Sequence, residues 1–216
     1  MDELQENRRF VAILAMDVVG YSQLVEHDEL GTVRAVRRLR DDIIIPALDD
    51  NEGRIVKTMG DGFLAEFATA SAAFASAVYI QKSCVEEARE APANRRLMLR
   101  IGAHLGDVIV DEDDILGDGV NIAARLEGLA MPGGIATSAT FARALQTSLA
   151  DELVEDGVHR VKNISRPLTV WRWLGESCLV DPTTVNKSSR PPTIAVLPFV
   201  NRSTGSEQSF FADGLA

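Results

Sequence analysis

Cysteine is scarce. Cys84 and Cys178 are the only two in 216 residues, and neither sits in a C-x-x-C pattern. A zinc or dithiol redox centre is therefore not expected, and the usage fits a reducing compartment. No apolar run approaches the roughly 20 residues that span a bilayer. The opening MDELQENRR has no apolar signal core. Basic charge is short too: 22 Lys and Arg against 32 Asp and Glu give a net charge of -10. No broad basic face is on offer to nucleic acid, although a few cations can still hold one triphosphate. The expectation is a cytoplasmic chain with neither a membrane nor a nucleic-acid partner. Internal repeats, a Walker A motif, a kinase glycine-rich loop and a Ser-His-Asp set are all missing.

What is present is a globular composition, 46% hydrophobic and 25% charged, in a chain long enough to bury a real core. RFVAILAM, ending at Met16, reads as a strand buried on both faces. The stretch from Val18 to Leu48 reads as helical, with Pro46 near its end. RIVKTMGDGFLAEF alternates around a Gly-Asp-Gly turn and predicts a hairpin. An Ala-rich helix follows. NRRLMLRIGAHLGDVIVDEDD predicts two strands joined at Leu105–Gly106–Asp107. GDGVNIAARLEGLAMPGG is a helix stopped by Pro132, Gly133 and Gly134. A strand, a helix and two or three short strands complete the pattern. Hairpins mixed with helices mean an α+β fold with a mixed, mostly antiparallel sheet and helices packed on it. The expected domain spans 1–174, with a polar, Pro-bearing linker at 175–192 and a new strand-like run from Thr193.

Several residues can carry chemistry. Asp17 ends a buried strand, where its carboxylate loses solvation unless compensated; a divalent cation or the N–H groups of a helix start would each do so. In the VVGYS that follows, Gly20 and Ser22 lead into a helix whose first N–H groups can bind phosphate. Asp61 lies in a glycine-rich turn, and the turn alone explains it. Lys57, with its Cα at most about 13 Å from that of Asp61, is ordinarily just solvated. Asn121 and Arg125 share a helix face at i, i+4, beside an Ile122, Leu126, Leu129 stripe, so they point alongside the core as a polar pair or a site. Asp113 and Asp114 occupy an acidic loop. Arg100, in an apolar strand, needs a partner; His104 on the same face reads as structural. Arg160, Lys162 and Arg166 cluster near an anion's reach. Arg34, Arg37 and Arg38 read as a solvated helix face or a partner-facing patch. Separated carboxylates, a phosphate-competent turn and isolated cations are the inventory for a metal–triphosphate and phosphoryl chemistry.

With AMDVVGYS, VKTMGDGFLAEF, LRIGAHLGDVIV and DDILGDGVNIAARLEGLAMPGG in this order, the chain resembles the class III nucleotidyl cyclase catalytic domain over about residues 8–174. The resemblance implies that family's fold, with its ferredoxin-like core. The tail from Thr193 resembles the start of a TolB-like segment, which in such cyclases is often continued by tetratricopeptide repeats. The resemblance also implies roles. Asp17 and Asp61 match the metal-binding aspartates, with the carbonyl of Val18 joining one ion. Val19, Gly20, Tyr21 and Ser22 match the triphosphate turn. Lys57 matches the purine-reading position, a lysine in adenylate and a glutamate in guanylate cyclases, and Asp114 its companion, with Asp113 as the alternative register. Asn121 matches the ribose-orienting asparagine, Arg125 the transition-state arginine and Arg100 a phosphate contact. The C-terminal triphosphate lysine falls on Lys162, with Arg166 the second choice.

The implied reaction is ATP to 3′,5′-cyclic AMP and pyrophosphate, with two Mg²⁺ or Mn²⁺ ions per site. The family's sites lie between two protomers, one supplying Asp17, Asp61 and Arg100, the other Lys57, Asp114, Asn121 and Arg125. A chain with both sets implies a homodimer. The alternatives are a guanylate cyclase, disfavoured by Lys57, and a catalytically silent cyclase-like module for regulation or oligomerisation.

Overall fold

The computed structural model describes residues 7–91, 96–162, 164 and 166–175. Beyond Gly175, the expected linker and the TolB-like stretch lie outside the described residues. The central strand is β1 (Arg8–Val18), in which Ala12, Ile13 and Leu14 are fully buried. Their side chains alternate between faces, so both faces of the sheet must be covered here. β1 lies antiparallel between β3 (Gly62–Phe67) and β4 (Leu99–Asp111). β2 (Arg54–Met59) flanks β3, and β6 (Ile135–Ser138) runs parallel to β4. β8 (Leu168–Trp173) and β7 (Val154–His159) follow antiparallel, giving the order β2-β3-β1-β4-β6-β8-β7. The short β5 (Asp114–Leu116) folds back on the end of β4. One parallel pair among antiparallel ones is the mixed α+β sheet that the sequence predicts.

One face is covered by α3 (Ile45–Asp49) and α4 (Ala70–Glu90), packed on Leu14, Met16 and Ile101. Ala73 and Ala77 in α4 are fully buried, and their small side chains let the helix approach the sheet closely. Buried Gln81 then donates its amide to the carbonyls of Leu99 (3.1 Å) and Gly134 (2.8 Å). The other face is covered by α5 (Asp118–Leu129), which packs on β4, β1 and β6. Its Ala123 joins Ile13, Ala15 and Val108, while Ile122 and Leu126 join Ala136 and Val170. Each large apolar side chain so buried contributes about 1.5–3 kcal/mol. Among the described residues no helix is long and apolar enough to cross a membrane.

Two local expectations fail. The helical stretch is not continuous: α1 (Tyr21–His27) and α2 (Glu29–Arg38) break at Asp28, whose carboxylate caps α2 by accepting from the Gly31 N–H (2.9 Å). A π-helical turn over Leu39–Ile44 runs without a break into α3, and Pro46 lies near the end of this helical run, as expected. Leu105–Gly106–Asp107 is not a turn. β4 runs unbroken for 13 residues, and the hairpin turn falls at Glu112–Asp113. Gly106 serves a neighbour instead: a Cβ there would stand 2.7 Å from Nε2 of His104.

His104 is structural, as expected. It is buried and shares a 2.7 Å hydrogen bond with the Ser138 hydroxyl, which accepts from the Phe141 N–H to cap α6 (Ala139–Arg143). Burial, helped by the charge of Arg166, lowers its pKa from 6.5 to about 4. Between those values the unfolded chain binds a proton that the folded chain refuses, so His104 favours the fold above pH 6.5 and loses that contribution as pH falls towards 4. Between pH 7 and 5 the loss is about 2 kcal/mol. In urea titrations at both pH values, His104→Gln should lack this component, so its stability relative to the parent should improve by about that amount on acidification; an unchanged gap would contradict it.

Candidate active site

The register of β1 places Asp17 opposite Gly62 of β3 and opposite Arg100 of β4. Asp61 immediately precedes Gly62. Met59 pairs with Gly62, so the turn residues are Gly60 and Asp61, not an Asp-Gly pair; Gly60 takes the positive φ of +64°. The two aspartates from β1 and the β2–β3 turn thus meet. The Asp61 pKa is raised, first by burial and then by the charge and hydrogen bond of Asp17, against the pull of Arg100.

Arg100 has two partners. Its Nη2 donates to Asp17 Oδ2 at 2.6 Å, and its Nε faces Glu127 Oε1 at 3.0 Å. Glu127 does not figure in the sequence reading. It comes from α5, which approaches β4 so closely at Gly102 that a Cβ there would run into the Ala123 carbonyl and the Glu127 amide. Burial raises the Glu127 pKa to about 7; Arg100 pulls it down, while Asp17 and Asp61 push it up. One signal was available. Glu127 lies four residues after Ala123 and one after Leu126, within the arc that docks on the sheet.

Lys57 and Asp114 form a second cluster. Lys57 Nζ donates to Asp114 Oδ2 at 2.7 Å, and this bond, the largest influence, lowers the Asp114 pKa. Asp114 also accepts from the Ile115 N–H (2.7 Å). Asp113 faces the pair only through its backbone: its carbonyl accepts from Arg54 Nη1 (3.2 Å). A β-bulge makes the pairing. Arg54 is registered with Glu66 and Lys57 with Leu64, leaving Val56 as an extra residue. Glu66, Leu64 and Gly62 alternate onto the face of Asp17. Without the bulge, Arg54 and Lys57 would point to opposite faces; with it, both point to this one.

Asn121 and Arg125 are exposed rather than turned alongside the core, and their side chains bond to no described residue. Arg125 and Glu127 are two residues apart, about 200° around the helix. Glu127 faces Arg100, so Arg125 lies on the far side of α5 from its own chain's Asp17. At the strand end, the Val19 N–H donates to the Met98 carbonyl (2.8 Å), which takes it out of the expected phosphate turn. Gly20 bends the chain with φ +69°, and Tyr21 and Ser22 open α1. Lys162 and Arg166 are both exposed, and of the two it is Arg166 whose charge reaches His104 on this face.

Asp17 and Asp61 offer hard oxygen donors that repel each other, and Val18 adds a carbonyl beside them. That set suits Mg²⁺ or Mn²⁺. Among the described residues no three of His, Cys, Asp and Glu converge as a metal cage, so water and substrate oxygens would complete the shell. Neither the cleft of about 660 Å³ between α2 and α4 nor that of about 590 Å³ beside Phe10 and Glu66 is lined by these aspartates, Lys57, Asn121 or Arg125.

The chain is similar to several known proteins. The profile of the adenylate and guanylate cyclase catalytic domain matches residues 4–171. "Putative adenylate cyclase 3" of Rhizobium meliloti (strain 1021) is 40% identical over 213 residues, 96% of this chain and 36% of that protein. The chain thus spans little more than a third of that relative. The adenylate/guanylate cyclase/hydrolase crystal structure from Silicibacter pomeroyi is 41% identical, with a TM-score of 0.72 over 77% of this chain and 97% of that one. Adenylate cyclases from Trypanosoma brucei in their monomeric state share the fold at 20% identity, with a TM-score of 0.64 over 76% of this chain and 88% of theirs.

Glu127 and His104 act on stability with opposite signs. The Glu127 pKa is raised from 4.5 to about 7, so its destabilising effect is full above pH 7 and is relieved as pH falls towards 4.5. Between pH 7 and 5 the relief is about 2 kcal/mol, close to the His104 loss. Glu127→Gln should therefore expose the His104 slope, with urea midpoints that fall more steeply on acidification than the parent's. A parallel pair of curves would refute the assignment.

Proposed function

The chain belongs to the adenylate and guanylate cyclase catalytic domain family, and we propose that it is an adenylate cyclase whose sites are shared between two copies. The observation that carries the base choice is the bonded Lys57–Asp114 pair. An ammonium donates to adenine N1 and a carboxylate accepts from the adenine amino group. Guanine presents a donor at N1 and an oxygen at position 6, so it meets like against like twice.

In the proposed reaction the ribose 3′-oxygen attacks the α-phosphorus, the bond to pyrophosphate breaks, and the hydroxyl proton leaves to Asp17 or to water. Mg²⁺ or Mn²⁺, when bound by Asp17, Asp61 and the Val18 carbonyl, lowers the hydroxyl pKa and neutralises the leaving phosphates. Arg100, steadied by Glu127, turns its other donors to phosphate. The turn at Gly20–Ser22 and Lys162 hold the remaining phosphates. Arg125 of the partner subunit stabilises charge in the transition state, and Asn121 of the partner subunit orients the ribose. The position of Arg125, on the far side of α5 from its own chain's Asp17, supports the shared arrangement.

Purified protein with ATP or GTP, under Mg²⁺ and Mn²⁺, should release pyrophosphate from ATP by preference, with a rate that rises more steeply than linearly in protein concentration. Asp17→Ala and Arg125→Ala should each reduce turnover at least about a hundredfold. Mixing the two should restore part of it, because some heterodimers keep one intact site; no recovery on mixing would sink the shared site. Equal turnover of GTP would overturn the base assignment.

A further inference from the structure

The face that carries Asp17 holds a second charged network. Glu66, though only 6% exposed, is a carboxylate on β3, and it accepts from Arg9 Nη2 on β1 (2.8 and 3.1 Å) and from Arg54 Nε on β2 (2.8 Å). A buried carboxylate held by two guanidiniums across three strands is costly to assemble and rigid once made. Arg54 uses its other donors outside the network: Nη1 donates to the Asp113 carbonyl.

That carbonyl sits in the turn that delivers Asp114. The turn needs holding, because Glu112 takes a φ of +53° without being glycine, and Asp111, Glu112, Asp113 and Asp114 place four carboxylates in sequence. β2 answers with two cations on one side, Arg54 to the backbone of the turn and Lys57 to Asp114. Only the Val56 bulge allows both. Gly53 fixes the approach to β2, since a Cβ there would collide with the ring of Phe67.

We propose that Arg54, anchored by Glu66, is a positioning residue for base selection: it fixes the β4–β5 turn so that Asp114 and Lys57 meet the purine as a unit, without touching substrate itself. This rests on the reading of Lys57 and Asp114 as the base-reading pair.

The test measures kcat and KM for ATP and GTP in the homodimer, for Lys57→Ala, Arg54→Ala, Arg54→Lys and Arg9→Ala, with thermal midpoints to establish folding. Lys57→Ala should collapse the ATP:GTP ratio of kcat/KM. Arg54→Ala should lower that ratio about fivefold, mainly through KM for ATP. Arg54→Lys should recover part of it, since an ammonium can still donate to the carbonyl. Arg9→Ala, which touches Glu66 but not the turn, should leave the ratio near the parent's. A normal ratio in Arg54→Ala beside a collapsed one in Lys57→Ala overturns the positioning role and leaves the base reading standing. An equal fall in kcat for both nucleotides, or an Arg9→Ala effect as large as that of Arg54→Ala, reduces the network to structure and also overturns it. An unchanged ratio in Lys57→Ala removes the base reading, and the proposal with it.

Discussion

A strand with no exposed face has to be covered twice, and β1 is that strand. From Val11 to Met16 every side chain is buried, so one set of residues needs α3 and α4 and the alternate set needs α5. The cover is unequal. The helices on the first face extend along the sheet, while α5 packs on β4, β1 and β6. Charged side chains emerge on the face of α5 towards β2 and β3. Asp17 stands at that boundary, at the end of the apolar run, half-shielded by α5 and half open. The candidate site is located by where the hydrophobic cover stops.

Within the boundary the charges depend on one another. Arg100 is the counter-ion of both Asp17 and Glu127, and Asp61 adds a third carboxylate. The chain alone balances three acids with one guanidinium, in surroundings dry enough to push two of those acids upward in pKa. Such a cluster stabilises a fold poorly. The Arg9–Glu66–Arg54 network is its inverse, with two cations on one acid. Each network carries a charge imbalance of opposite sign, and both occupy one sheet face.

Much of the fold was legible because its signals are periodic. The unbroken run of β1, the alternation around Gly60–Asp61 and the stop at Pro132–Gly134 each report local geometry. The need of Arg100 for a partner was legible too, from its apolar neighbours. The identity of the second partner was not, because Glu127 becomes a neighbour only when α5 settles at Gly102. Gly106 misled for a related reason: a glycine that makes space for His104 has the same letters as a glycine that turns the chain. The Val56 bulge leaves no mark in composition or spacing. Without the pairing of β2 with β3, the sequence assigns Arg54 and Lys57 to opposite faces, and the link from Glu66 through Arg54 to Asp113 is invisible.

β1 is hydrogen-bonded along both edges, to β3 and β4, whereas β5 is three residues long and, among the described residues, pairs only with β4. Backbone amides in the first setting exchange with solvent only when the whole domain opens; those in the second exchange through local fraying. The two halves of the candidate site therefore have different lifetimes. Asp17 lies on the strand bonded along both edges, while Asp114 lies on a short strand bonded along one, which frays more readily. For the proposed enzyme, gentle warming would loosen the choice of base before it impaired bond formation, so promiscuity would precede inactivation.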